Sequence, residues 1–334
     1  MSRPTDYLPA DTLAELRRKS DLRGLGSIAW TWGWIMGCLA LYVWQPGVLT
    51  FLFGFIVISG RHLALAILMH EGAHRLLLNN VRWNDRITQW LTAYPVMLNM
   101  LPYRDMHLRH HKHTWTEDDP DLGLATALPV TRRSFARKML RDITGQTGYA
   151  RYRFIARLSA GLSPDKRGLE GRPLSRVLAT FARNQHGFLI TNALMLAALT
   201  AAGRPEAFLL LWWLPALTGY SVVLRIRNIA EHAVVTDPGE ELRQTRTTLT
   251  SWWVRFLMAP HNVNYHLEHH LFMSVPQYNL PRAHRLLAER GLLNNAEVAR
   301  DGYWPVLKKA MSASGPEDSG TRGPLVPRGH AGLG

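Results

Sequence analysis

Apolar residues along this chain are gathered into a few long runs separated by polar stretches. "SIAWTWGWIMGCLALYVW" (27–44) is uncharged and long enough to cross a hydrocarbon core of ~30 Å. After "QPG" comes "VLTFLFGFIVISGRHLALAILMHEGAH" (48–74), then "GFLITNALMLAALTAA" (187–202) and "AFLLLWWLPALTGYSVVL" (207–224). Together they predict four spanning helices. Four buried helices of a soluble core fit less well, because the first run has no polar face. As a helix, 48–74 would be about 40 Å long at 1.5 Å per residue, so its last two turns should project into the cytosol. "WLTAYPVMLNMLP" (90–102) is apolar but too short to span readily, and reads as interfacial or re-entrant.

Charge orients these spans. The turns at 45–47 and 203–206 carry one basic residue, Arg204, whereas thirteen Lys/Arg against three acids lie between Arg132 and Arg183. "RRKSDLR" precedes the first helix. The positive-inside rule then puts both termini and the long middle segment in the cytoplasm. The net charge of +14 is accounted for by topology and anionic lipid headgroups, with an acidic redox partner as a further use. No nucleic-acid module accompanies the charge, and nucleic-acid binding is not expected. Abundant Arg, Ala and Leu point to a bacterial inner membrane.

The expected organisation is an all-α integral membrane protein. A cytosolic N-terminal segment (1–26) is too polar for a cleavable signal peptide. A membrane domain (27–311) follows, with a cytosolic helical cap at 75–186 and 225–311. A disordered tail (312–334) contains "LVPRG", which resembles a thrombin cleavage sequence and is set aside. The single cysteine, Cys38, sits in the first helix as a packing residue and rules out an intrachain disulfide. "GLGSIA" (24–29) fits a dinucleotide-binding pattern only superficially, since it runs into a span rather than following a strand.

Histidine carries the chemistry. His70 and His74 lie four apart at the cytosolic end of the second helix, on one face. "HLRHH" supplies His107, His110 and His111; "RNIAEH", just past the fourth helix, supplies Asn228 and His232; "HLEHH" supplies His266, His269 and His270. With no crossing between the first two clusters and two crossings before the third, all nine histidines should meet at one cytosolic membrane face. The other six, His62, His113, His186, His261, His284 and His330, read as structural or solvated. Asp118, Asp119, Asp121, Glu231 and Glu268 are candidate partners for the outer nitrogens of ligating imidazoles, and Asp105 a weaker one. Trp212, Trp213, Trp252 and Trp253 would line an entry tunnel or, more simply, form interfacial belts.

"HEGAH" also fits the zinc-protease pattern H-E-x-x-H, with Glu71 as general base. That reading uses two histidines and leaves seven idle. One catalytic zinc takes about three protein ligands, whereas nine histidines suit two metals with four or five each. Imidazole-rich, oxygen-activating sites favour non-haem iron over copper or zinc. A non-catalytic metal or haem binder is a further alternative.

HxxxH, HxxHH, NxxxH and a final HxxHH, threaded through four helices, resemble the membrane fatty-acid desaturase and hydroxylase family. The resemblance runs from about Ser27 to His284. "HHKHTWTEDDPDL" (110–122) resembles the family's histidine box followed by its Asp-Pro-Asp segment, and "HNVNYHLEHHLFMSVPQYNLP" (261–281) is similar to the third-box region of bacterial members and carotenoid ketolases. This implies two irons held by His70, His74, His107, His110, His111, His232, His266, His269 and His270. Asn228 matches an asparagine that reaches one iron through water in some desaturases. The resemblance further implies O2-dependent desaturation of a fatty-acyl or lipid substrate, with hydroxylation or ketolation as the alternative. Lacking ferredoxin cysteines or a fused cytochrome b5, the chain would draw electrons from a separate ferredoxin or cytochrome b5 with its reductase.

Overall fold

The computed structural model describes residues 3–313 and is dominated by helices. The tail from 314 on, with "LVPRG" and His330, lies outside the described residues. Among the described residues three helices are long and apolar enough to cross a membrane: Asp21–Trp44, Val48–Ala73 and Phe208–His232. The third predicted run forms the helix His186–Ala201, at 16 residues shorter than a usual span.

The first helix begins six residues before its apolar run. Ser20 caps it by accepting from the Arg23 N–H at 3.4 Å, and Asp21 sits in the first turn where the helix dipole favours an acid. The polar opening turn "DLRGLG" is helical without being apolar, so hydropathy alone does not find it. The last span differs similarly. It starts with a π-turn, Phe208–Trp213, and Gly219–His232 is one continuous helix. "RIRNIAEH" contains no breaker, and Arg227 pairs with Glu231 one turn on at 2.6 Å. Asn228 and His232 are therefore on the spanning helix itself, not beyond its end.

Val48–Ala73 is the hub. From Val57 to Ala73 nearly every residue is buried, because the first helix, the last helix and the cap pack around it. Gly72 permits the closest of these contacts: a Cβ there would stand 2.0 Å from Thr88 Oγ1. Outward-facing Trp30, Met36, Leu52, Ile56 and Leu194 are exposed, which suits a surface bathed in lipid.

The segment "WLTAYPVMLNMLP" forms no single helix of spanning length. It breaks into a π-turn (Gln89–Ala93) and a 3₁₀ turn (Tyr94–Val96) before the helix Met100–His113, consistent with the re-entrant expectation. Two short helices at Pro4–Tyr7 and Ala10–Leu16 precede the first span. Leu8, Leu13 and Leu16 are buried against Leu267, Phe272 and Leu280 from the region around the last histidine box.

Candidate metal centre

Two arginines set the register of the histidine-bearing helices, and hydropathy signals neither. At the carboxyl end of Val48–Ala73 the Gly72 carbonyl accepts the Arg75 N–H at 3.0 Å, while the Ala73 carbonyl has no backbone donor among the described residues. Arg104, on the helix Met100–His113, donates from Nε to the Ala73 carbonyl at 2.7 Å and from Nη2 to that of Gly72 at 3.1 Å. Its charge is balanced by Asp85 at 2.6 Å, and Asn84 Nδ2 adds a second donor to Gly72 O at 2.8 Å. A cation on a helix carboxyl end is favoured by both the dipole and the orphan carbonyls. The device recurs at Gly219–His232, where Arg246 donates to the carbonyls of Ala230, Ala233 and Val234 at 3.0–3.1 Å and pairs with Glu297 at 2.7 Å. The HxxxH and NxxxH helices are thus both clamped at the end that bears the histidines.

The nine histidines of the four boxes come together. His70, His74, His107, His111 and His269 form one group whose ring nitrogens lie within 4.8 Å of one another. His110, His232 and His270 form a second, and His232 is shared with a third made with His266 and Glu231. The two sides meet at His111 and His270, whose rings are 4.3 Å apart.

Several Nε2 atoms face each other: His107 and His111 at 2.9 Å, His111 and His269 at 3.0 Å, His232 and His266 at 2.8 Å. Both nitrogens of His70, Nε2 of His74 and Nε2 of His270 are buried without a hydrogen-bond partner. Buried nitrogens turned on one another and left unsatisfied are costly in a bare protein. They fit a metal, and a donor set made of imidazoles fits iron, zinc or copper.

Burial, and after it repulsion from neighbouring rings, holds His107, His111, His266, His269 and His270 well below the ordinary value of 6.5, with Arg227 adding to the repulsion at His266 and His269. At His74, burial and then Arg104 bring it to about 3. The imidazoles are therefore neutral at pH 7, the form that binds metal. Because these folded-state values lie below the unfolded value of 6.5, protons bind preferentially to the unfolded chain as pH falls through 6.5. The chelator-stripped protein should lose thermal stability steadily from about pH 7 to about pH 5. A midpoint unchanged over that interval would contradict burial of neutral imidazoles.

The acids sort clearly. Asp119 Oδ1 lies 2.8 Å from His110 Nδ1 and accepts the Asp121 N–H, while Asp119 Oδ2 accepts the Trp115 N–H. Asp121 stands 3.9 Å from the same nitrogen, and Glu231 is 3.4 Å from His266 Nδ1 with Arg227 behind it. Three expected partners serve elsewhere. Asp118 is a solvent-exposed side chain near His113, since the loop turns it outward, and Asp105 is exposed as well. Glu268, although between two box histidines, turns away to accept from Thr247 and to pair with His284 Nδ1 at 2.6 Å. Asn228 Oδ1 accepts from Arg227 Nη1 at 3.1 Å, one turn before His232.

Of the histidines set aside, His62, His113, His186, His261 and His284 join neither group; His261 bonds Thr31 at 2.8 Å and His62 its own helix at 2.9 Å. Against the His70 ring lies a narrow slot lined by Leu63, Ile67, Leu98, Tyr103, Tyr152 and Tyr220. The four tryptophans are not part of it. Trp212 is core, donating to Asn192, while Trp252 and Trp253 are exposed, as a belt would be.

Residues 21–300 match the description of the fatty acid desaturase family, and the chain belongs to that family. Among curated proteins it is similar to a dihydrorhizobitoxine desaturase from Bradyrhizobium elkanii, with 27% identity over 241 residues, 69% of this chain and 66% of that protein's length, just under two thirds. It is also similar to an sn-1 oleoyl-lipid 12-desaturase from Anabaena variabilis, at 22% identity over 298 residues, covering 84% and 80% of the two chains. With its three helices of spanning length, this is a membrane protein of a desaturase family.

Proposed function

We propose that the protein is an O2-dependent membrane fatty-acyl or lipid desaturase working through two irons, one held by His70, His74, His107, His111 and His269, the other by His110, His232, His266 and His270. The observation that carries this reading is the convergence of nine imidazoles, six of them buried and three partly buried, into a group of five and two smaller groups that share His232, beside an apolar slot. What iron supplies when bound is oxidation of an unactivated C–H bond with O2 and two electrons, which no acid or base in the site can perform.

The chain's own residues hold and exclude. Leu63, Ile67 and Leu98 line a water-poor slot for a slim hydrocarbon. Asp119 fixes the His110 ring through Nδ1, which leaves Nε2 free to face inward; Glu231, neutralised by Arg227, does the same for His266. Asn228 is assigned a supporting role next to the second iron, through water. Four membrane crossings, with His186–Ala201 as the short third, would leave the centre and both termini cytoplasmic, in a bacterial inner membrane. A ferredoxin or cytochrome b5 with its reductase would deliver electrons at the basic face. Hydroxylation or ketolation would use the same ligands, and only the lipid product separates these outcomes.

The zinc-protease alternative makes Glu71 a general base. In the structure Glu71 Oε2 accepts the Gln277 N–H at 3.0 Å, a bond that ties the second helix to the loop after the last box. A glutamine oxygen can accept the same bond. Glu71→Gln should therefore keep close to two irons per chain and its lipid product, while His269→Ala loses both. Elemental analysis of the detergent-purified protein, with a chelator-stripped control, checks this. A single zinc after anaerobic iron loading, or proteolysis abolished by Glu71→Gln and unaffected by His269→Ala, would overturn the assignment.

A further inference from the structure

A second cavity of ≈ 620 Å³ opens between the helices Arg132–Ile143, Gln146–Ser159 and Gly219–His232. Its wall differs from that of the slot. Lys138, Arg151, Arg153 and Arg225 line it, with Asp165 and Asn228. Arg225 is neutralised by the fully buried Asp142, Nη2 to Oδ1 2.9 Å. Four cations against two acids, Asp142 and Asp165, give the wall a net charge of +2.

Lys138 and Arg151 are placed differently from the exposed Arg153, which donates to the Lys166 carbonyl at 3.2 Å. The half-buried Lys138 has no hydrogen bond or ion pair among the described residues. Burial, with Arg225 and Arg141 close by, holds its ammonium below the usual lysine range despite Asp142. Arg151 has only neutral partners: it donates to the Ala216 carbonyl at 2.8 Å and Ser221 Oγ at 3.2 Å, and lies over the Tyr220 ring at 4.5 Å. Arg151 and Leu224 line both the cavity and the slot against His70, so the two spaces are neighbours that meet at these side chains. Gly148 brings the helix Gln146–Ser159 into backbone contact with Leu217, where a Cβ would meet the carbonyl at 2.1 Å, and so fixes Arg151 at this junction.

We infer that the cavity is a headgroup site for an anionic amphiphile, a carboxylate or a phosphate monoester, with Lys138 and Arg151 as its cations and the hydrocarbon tail led past Arg151 toward His70. A concave wall with unmatched positive charge concentrates anions, and guanidinium suits carboxylate and phosphate alike. A neutral ester offers Lys138 no counter-charge. The tail's destination rests on the desaturase reading; the headgroup site does not.

The test is equilibrium binding of three radiolabelled probes, hexadecanoate, hexadecyl phosphate and methyl hexadecanoate, to the iron-loaded protein in lipid nanodiscs, with empty nanodiscs subtracted. Saturable binding of an anion, about tenfold tighter than the methyl ester, is expected. Whichever anion binds tighter identifies carboxylate or phosphate as the natural head. Lys138→Gln should weaken the anion about tenfold, leave the ester unchanged and keep the iron, and Lys138→Arg should restore binding. Equal affinity for all three probes in the unmodified protein overturns the inference whether or not any variant folds, and so does an anion affinity indifferent to Lys138→Gln. Anion binding without iron or lipid product would sink the desaturase reading instead, leaving the headgroup site standing.

Discussion

His111→Ala should empty both histidine groups, not one. Its Nε2 lies 2.9 Å from that of His107 and 3.0 Å from that of His269, and its ring packs 4.3 Å from His270, across the divide between the groups. Removing it takes one donor from the five-membered group and leaves a cavity where His270 is braced. Changes to mere outer partners of metal ligands cost about 10–100-fold in affinity, so loss of a ring within the five-membered group that also packs on His270 should exceed that and leave no lipid product. Iron per chain, measured after equal loading, should fall below one rather than from two to one. His113→Ala, two residues along the same helix but with a partly exposed ring belonging to neither group, should keep the full complement. An iron content of two in His111→Ala would refute the assignment of that ring.

Gly72→Ala is expected to be among the most damaging small substitutions in the chain. The added methyl would meet Thr88 at 2.0 Å from Oγ1, 2.3 Å from Cγ2 and 2.6 Å from Cβ, so rotation of the threonine cannot relieve it. The helix Val81–Thr88 must withdraw, and with it Asn84, whose amide holds the Gly72 carbonyl beside Arg104. Overpacking costs about 1–3 kcal/mol, and loss of these buried bonds adds to it. Gly26→Ala is the matched control: nothing lies within 4 Å of its would-be Cβ, and alanine is the better helix former by roughly 1 kcal/mol. Thermal unfolding in detergent should show a large drop for Gly72→Ala and none for Gly26→Ala. Similar midpoints for the two would mean that the contact with Thr88 is looser than described.

The boxes were legible because their spacing is itself the geometry. Four-residue steps place His70 with His74 and Asn228 with His232 on one helix face, and the apolar run of 48–74 foretells that the first pair sits at a helix end. Span boundaries were less legible, since hydropathy registers apolar residues and not helices. It misses the polar turn at Asp21–Gly26, and stops at Leu224 although the helix runs on to His232. The acids were the hardest to assign. Asp118, Asp119 and Asp121 are neighbours in sequence, yet backbone turns alone decide that Asp119 faces His110 while Asp118 faces solvent. Nothing local marks Arg104 or Arg246 either, because their partners are carbonyls brought near by tertiary packing.

Residues 3–20 behave as a clasp on the last histidine box. Besides the buried leucines, Asn279 Nδ2 grips the Leu16 carbonyl at 2.8 Å and the Tyr278 hydroxyl takes the Ser20 N–H at 2.7 Å. The short helix His266–Leu271 carries three of the nine histidines and is only six residues long, too short to hold its shape unaided. Its rigidity is borrowed from a strand of chain more than two hundred residues away. Tension or trimming at the amino end would therefore be felt at the histidine cluster before it was felt in the membrane.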